Sequence, residues 1–325
     1  MNDLNNKTIL GHPRGLLILF LTEMWERFSY YGMRGLLIVY LTQHFLFSDE
    51  KSSLIYGAYT ALVYVMTIVG GSLADRYLGA RKAVTFGAIL LTLGHFGMSF
   101  EGEGSRQLLT YGDSQYQIKL DGRGGDARQQ IVTEQGVSYI SFTETSMQIA
   151  EPQLVALPAT IARDQFVISV ERDSFYLNIL YLSLALLIAG VGFLKANIST
   201  IVGSLYGFGD SRRDSGFTIF YMGINIGAFL ASIFCGYLGI VHGWKYGFGL
   251  AGVGMLLGLI IFLSCQSWLK GKAEPPSVEK LKEKVFLFIN LEWFCYLIGL
   301  GIIVLSMLLV MNEELVGGIL GPLGI

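Results

Sequence analysis

Seven apolar runs of about 20 residues, near 15–41, 54–73, 82–100, 176–206, 216–240, 246–267 and 285–311, set the terms for this chain. A helix of that length crosses the ~30 Å hydrocarbon layer of a bilayer, where helices and closed barrels alone satisfy every backbone group. Composition agrees: 52% of the 325 residues are hydrophobic, 15% are charged and the mean hydropathy is +0.52. The expected fold class is all-α integral membrane, with the lipid bilayer as its surroundings. The polar start MNDLNNKTILGHPR, followed by a run that carries charges, is unlike a signal peptide, so the first helix should be retained.

Sidedness follows from the basic residues of the short connections. Lys7, Arg14, Arg76, Arg81, Lys82, Arg212, Arg213, Lys270, Lys272, Lys280, Lys282 and Lys284 fall on one side, against Lys51 and Lys245 on the other. The N-terminus is therefore expected in the cytoplasm, in a multi-pass protein of the plasma membrane, the inner membrane of a bacterium.

Residues 101–173 interrupt the pattern as a polar external insertion with eleven acidic and six basic residues. Within it YQIKLDGRGGDARQQIV (116–132) alternates around an Asp-Gly and reads as a hairpin, and FVISVE (166–171) reads as another strand, so a small β element is expected. The domain plan is a six-helix bundle over 1–269, a basic cytoplasmic linker over 270–284, and a seventh span in 285–325 that opens a truncated second part. Six spans, a basic connection and one more span is how a two-bundle transporter looks when its second bundle is cut short.

The first run contains EMWERFSYYGMR (23–34), costly charge for a bilayer at roughly 2.5 to 3.5 kcal/mol per residue. At 100° per residue Arg27, Tyr30 and Arg34 point within about 40° of Glu23, with Glu26 and Tyr31 flanking. Glu23 and Arg27 stand four apart and can pair along the helix. Such a stripe must face a bundle interior or an aqueous cavity. Lys195 in the fourth span and Asn225 in the fifth add polar groups at depth. The lysine needs a counter-charge, which the two glutamates can supply. Glu23, Glu26, Arg27, Arg34 and Lys195 sum to +1, a surplus suited to an anion such as a carboxylate.

EMWERFSYYG resembles the ExxERFxYYG signature of the proton-dependent oligopeptide transporter family, within the major facilitator superfamily. FTIFYMGINIGAF (217–229) resembles that family's second signature, and GGSLADRYLGARKA (70–83) is similar to the superfamily's loop motif between helices two and three. The resemblance covers residues 13–267 apart from the insertion. It implies a major-facilitator-type N-terminal bundle that moves di- and tripeptides with protons by alternating access. By motif position it implies proton coupling by Glu23, Glu26, Arg27 and Lys195. It likewise implies peptide binding by Tyr30, Tyr31, Arg34, Tyr64 and Asn225, and a structural gate at Asp75, Arg76 and Arg81. Gly57 stands where animal members carry a histidine, and Ala196 replaces a proline, which should leave the fourth helix straighter.

Other chemistry lacks its residues. His12, His44, His95 and His242 have no ligand-spaced partners, and Cys235, Cys265 and Cys295 show neither metal nor redox spacing, so no cofactor or metal is expected. Neither a GxxxxGK phosphate loop nor a nucleophile elbow is present, so the chain is not expected to be an enzyme or an ATP-driven pump. With a net charge of -2 and no basic cluster interleaved with aromatics, nucleic acid is not an expected partner. A non-transporting membrane sensor or scaffold on the same half-fold is the alternative reading.

Overall fold

The computed structural model describes residues 8–122 and 128–320. Lys7, used above for sidedness, and Gly124, at the tip of the expected hairpin, lie outside them. Seven long helices follow the seven apolar runs: α1 (Arg14–Gln43), α2 (Asp49–Leu73), α3 (Ala80–Met98), α4 (Ser174–Ser204), α5 (Arg213–Tyr237), α6 (Trp244–Ser264) and α7 (Leu291–Met311). With their π-helical extensions, five are long and apolar enough to cross a membrane: α2, α4, α5, α6 and α7. The other two carry too much polarity for that class, α1 through Glu23, Glu26, Arg27 and Arg34, and α3 through Arg81, Lys82 and His95.

Two boundaries differ from the apolar pattern. α2 runs into a π-helical turn, Ala74–Leu78, and stops at Gly79, whose φ of 74° favours glycine. α7 begins at Leu291 rather than 285, because Lys284–Phe286 and Ile289–Asn290 pair as a small hairpin and the Asn290 side chain caps the Trp293 amide at 2.9 Å. Hydrophobicity alone cannot separate such a hairpin from a helix start. The lysine-rich stretch of the linker is helical over Val278–Lys282, capped by Ser277.

The described chain divides into two compact units. In the helical unit, glycines permit close crossings, the usual device where no water drives helices together. Gly70 of α2 lies on the Gly192 backbone of α4, Gly87 of α3 on Gly190, and Gly227 of α5 on the Met24 carbonyl of α1. α4 passes uninterrupted through Ala196. α7 packs Gly299 against Phe86 and Phe193 and is pinned by an ion pair from Lys82 to Glu292. The helix α8 (Glu313–Leu320) follows it, with Glu313 paired to Lys51 at 2.7 Å.

The second unit holds Val39–Ser48 and Glu101–Leu177. Its seven strands are β1 (Arg106–Tyr111), β2 (Ser114–Asp121), β3 (Arg128–Val132), β4 (Val137–Phe142), β5 (Ser146–Ile149), β6 (Thr160–Ala162) and β7 (Phe166–Glu171). They form one antiparallel sheet ordered β6-β5-β4-β3-β2-β1-β7. The expected hairpin is present as β2–β3, with Ile118 opposite Ile131 and Asp121 opposite Arg128, and the expected strand 166–171 is β7. The element is larger than a hairpin. β6 and β7 are opposite edges, yet only Arg163–Gln165 joins them, so the sheet must curl on itself. The rings of Phe142 and Phe166 meet at 6.0 Å, and Leu109, Ile118, Ile131, Met147 and Ile161 fill the interior.

Candidate transport cavity

α1 buries its charges. Glu23 is 3% exposed, Glu26 0% and Arg27 4%. Arg27 Nε lies 3.1 Å from Glu23 Oε1 and also pairs with Glu26 Oε2, so one guanidinium serves two carboxylates. Its carbon sits 5.1 Å from the centre of the Tyr30 ring. The trio sums to -1, and Glu23 Oε2, Glu26 Oε1 and Arg27 Nη2 are buried with no hydrogen-bond partner among the described residues. Burying such atoms is costly, so this cluster is strained toward any neighbour that can complete it.

Glu23 reaches a cavity of about 620 Å³ whose other walls come from α2, α4 and α5. Tyr64, Thr67, Asp75, Lys195 and Tyr221 line it. Lys195 Nζ stands over the Tyr64 ring at 4.7 Å and makes no ion pair among the described residues. The counter-charge expected for it is thus already engaged: Arg27 holds both glutamates, and Lys195 shares the cavity with Glu23 without bonding to it.

The remaining expected positions fall elsewhere. Arg34 lies eleven residues beyond Glu23, about 16 Å along the helix axis. Its Nε donates to the Tyr56 hydroxyl, and its guanidinium stacks over that ring at 5.4 Å. Tyr30 and Tyr31 meet edge to face at 5.3 Å between the two clusters in sequence. Asn225 is exposed on α5, where its Nδ2 donates to the Tyr221 carbonyl at 3.1 Å. Asp75 is exposed and lines the cavity, whereas Arg76 does not. Arg81 points to the linker, gripping Glu274 at 2.7 and 2.8 Å and Gln266 at 3.1 Å, and it holds the Glu274 carboxyl below the usual carboxylate range.

Tyr56, Thr67 and Tyr221 were not singled out from sequence. A signal existed for the first two. Tyr56, Thr60, Tyr64, Thr67, Gly71 and Asp75 recur at spacings of three and four along α2, a polar or small stripe at helical period that mirrors the stripe of α1. Tyr221 sits four residues before Asn225 and shares its face.

A bundle of long apolar helices enclosing a charged cleft is the first-bundle architecture of a major-facilitator-type carrier, and the chain is a multi-pass membrane protein. Residues 81–297 match the family model described as the POT family, and the chain belongs to that family. It is 33% identical over 266 residues to the peptide transporter YePEPT of Yersinia enterocolitica, an alignment covering 80% of this chain and 38% of that protein. It is 35% identical over 273 residues to the di-/tripeptide transporter of Lactococcus lactis, covering 81% and 40%. A crystal structure of a mutant peptide transporter POT in complex with alafosfalin superposes with a TM-score of 0.63 at 31% identity, covering 98% of this chain and 51% of that one. The chain thus spans about two fifths of the length of the curated relatives it matches.

Proposed function

We propose that the protein carrying this chain is a proton-coupled symporter of di- and tripeptides in the plasma membrane, with the N-terminus of this chain in the cytoplasm. The observation that carries this reading is the Glu23–Glu26–Arg27 trio, buried in α1 and open through Glu23 to a cavity that holds Lys195. A proton arriving at Glu23 neutralises one carboxylate and loosens its hold on Arg27, and a peptide carboxylate then finds positive charge that was previously matched. Glu23, Glu26, Arg27 and Lys195 couple the proton, while Tyr30, Tyr31, Arg34, Tyr64 and Asn225 bind peptide. The Tyr56 hydroxyl holds Arg34 until a peptide carboxylate displaces it. Asp75, Arg76 and Arg81 act as the gate between helices two and three, and the chemistry needs no cofactor and breaks no bond.

The test is a pair of assays on proteoliposomes. Lys195→Ala should abolish accumulation of dipeptide driven by an imposed proton gradient, while exchange of labelled for unlabelled dipeptide across equal pH continues. Unchanged acid-driven accumulation in the variant would remove Lys195 from coupling. Failure of both assays in the unsubstituted protein would favour the non-transporting alternative.

A further inference from the structure

A groove of about 520 Å³ lies between α3, the end of α6 and α7, and it shares no residue with the charged cavity. Its polar end is built by Lys82 on the first turn of α3 and Glu292 on the first turn of α7, which are ion-paired. The Tyr296 hydroxyl also meets Glu292 Oε1, at 3.3 Å. Arg81 stands beside them, occupied by Glu274 and Gln266. From this end the groove runs past Phe86 to Ile89 on α3 and to Leu300 on α7. Lys82 to Ile89 is seven residues, roughly 10 Å of helix, and Glu292 to Leu300 is about 12 Å. That is the depth of the upper part of an acyl chain within one leaflet. Ile89, Leu300 and Trp293 are 40%, 51% and 63% exposed, so the groove opens outward, with a tryptophan at the level where the charges mark the membrane interface.

The charges choose the occupant. Arg81 and Lys82 are matched one for one by Glu274 and Glu292, so the polar end is neutral. An anionic headgroup would displace Glu292 from Lys82 and leave a carboxylate unmatched. A headgroup with both a phosphate and an ammonium keeps the balance, the phosphate taking further protons of Lys82 and the ammonium donating to Glu292. A quaternary ammonium has no proton to donate there.

The geometry points to a bound phospholipid with a phosphoethanolamine-type headgroup, its phosphate on Lys82, its primary ammonium on Glu292 and an acyl chain along Phe86, Ile89 and Leu300. The site requires only that the helices lie in a membrane and is independent of the transport reading. Native mass spectrometry of the purified full chain, stripped of lipid and offered equal dioleoyl phosphatidylethanolamine, phosphatidylcholine and phosphatidylglycerol, tests it. One phosphatidylethanolamine should be retained over each competitor by about tenfold, the ratio that one charge-assisted hydrogen bond supports. Lys82→Leu/Glu292→Leu, which leaves no unmatched charge, should erase that preference. Ile89→Trp, which keeps every charge and fills the groove, should lower retention of phosphatidylethanolamine to the level of the other two. Equal retention of the three lipids, preference for phosphatidylglycerol, no retained lipid, or an unaltered preference in either variant overturns the proposal.

Discussion

Arg27 is the residue whose loss should cost the fold most for its size. Alanine at this position leaves Glu23 and Glu26 three residues apart on one helix, 3% and 0% exposed, with the single cation that contacts both removed. Breaking a buried pair by deleting one partner costs about 3–5 kcal/mol, because the survivor keeps its desolvation and loses its compensation. Removing one carboxylate instead is mild. Glu23→Gln brings the trio from -1 to neutral, Arg27 keeps its pair with Glu26, and the amide oxygen still accepts from the guanidinium, so the change should stay below about 1.5 kcal/mol. The triple variant Glu23→Gln/Glu26→Gln/Arg27→Ala removes all charge from the cluster and should regain most of the loss, a non-additivity expected of groups in direct contact. Melting temperatures of the purified protein, followed by intrinsic fluorescence in one detergent, rank the set. The expected order is Arg27→Ala well below the triple variant, with Glu23→Gln nearly unchanged. Equal melting of Arg27→Ala and Glu23→Gln, or a triple variant no better than Arg27→Ala, would refute the claim that a buried unmatched charge is the source of the cost.

Gly70→Leu would place a side chain on the Gly192 backbone, where nothing flexible can yield, so α2 and α4 must separate at a cost of about 1–3 kcal/mol; Gly35→Leu on α1, with open space at its Cβ position, is the control. The two melting alike would argue against the close crossing. Asp210, outside the spans, is held at a pKa of about 2 by hydrogen bonds from Arg212. A depressed carboxylate contributes its stability above the unfolded value and loses it as pH falls through the folded one, so the protection of the 207–212 amides, taken relative to the intrinsic exchange rate at each pH, should hold from neutral pH to the ordinary carboxylate range, then fall progressively and be lost near pH 2. Protection that does not change with pH across this window would show that the Asp210–Arg212 pair does not hold in solution.

The parts of this fold that could be read from sequence are those set by local periodicity. Seven apolar runs gave seven helices because a span's length is fixed by the bilayer, and the charged stripe of α1 gave a buried cluster because a four-residue spacing suffices to pair Glu23 with Arg27. The β2–β3 hairpin was legible from its alternation around Asp121-Gly122. Contacts between distant segments were not. β1 pairs with β7 across more than fifty residues, and the curl of the sheet follows from a three-residue connection whose meaning appears only once the strand order is known. For the same reason charge balance points Lys195 to the glutamates, whereas distance decides the pairing: Arg27, on the same helix as both, takes them, and Lys195 rests on the Tyr64 ring. Phe286 and Leu287, apolar and therefore read as helix, sit in an exposed hairpin where Leu287 adopts a φ of 42°.

That competition between two cations for two carboxylates also bears on how the cavity could respond to a proton. With Arg27 bonded to both glutamates, Lys195 rests on the Tyr64 ring, an interaction worth about 0.5–2 kcal/mol depending on hydration. A carboxylate that comes within hydrogen-bond reach of Lys195 Nζ would pair with it directly and draw it from Tyr64. Asp75 and Glu23 line the same space, and a peptide's own carboxylate would be a third candidate. Protonating Glu23 removes one of the three and releases part of Arg27, which raises the positive charge facing the cavity by one at the moment an anion can enter. On the proposed reading, the stripe on α1 and the lysine on α4 make proton and peptide carboxylate mutually supporting: the proton on Glu23 frees positive charge and the carboxylate takes it up, so binding both together is favoured over either alone.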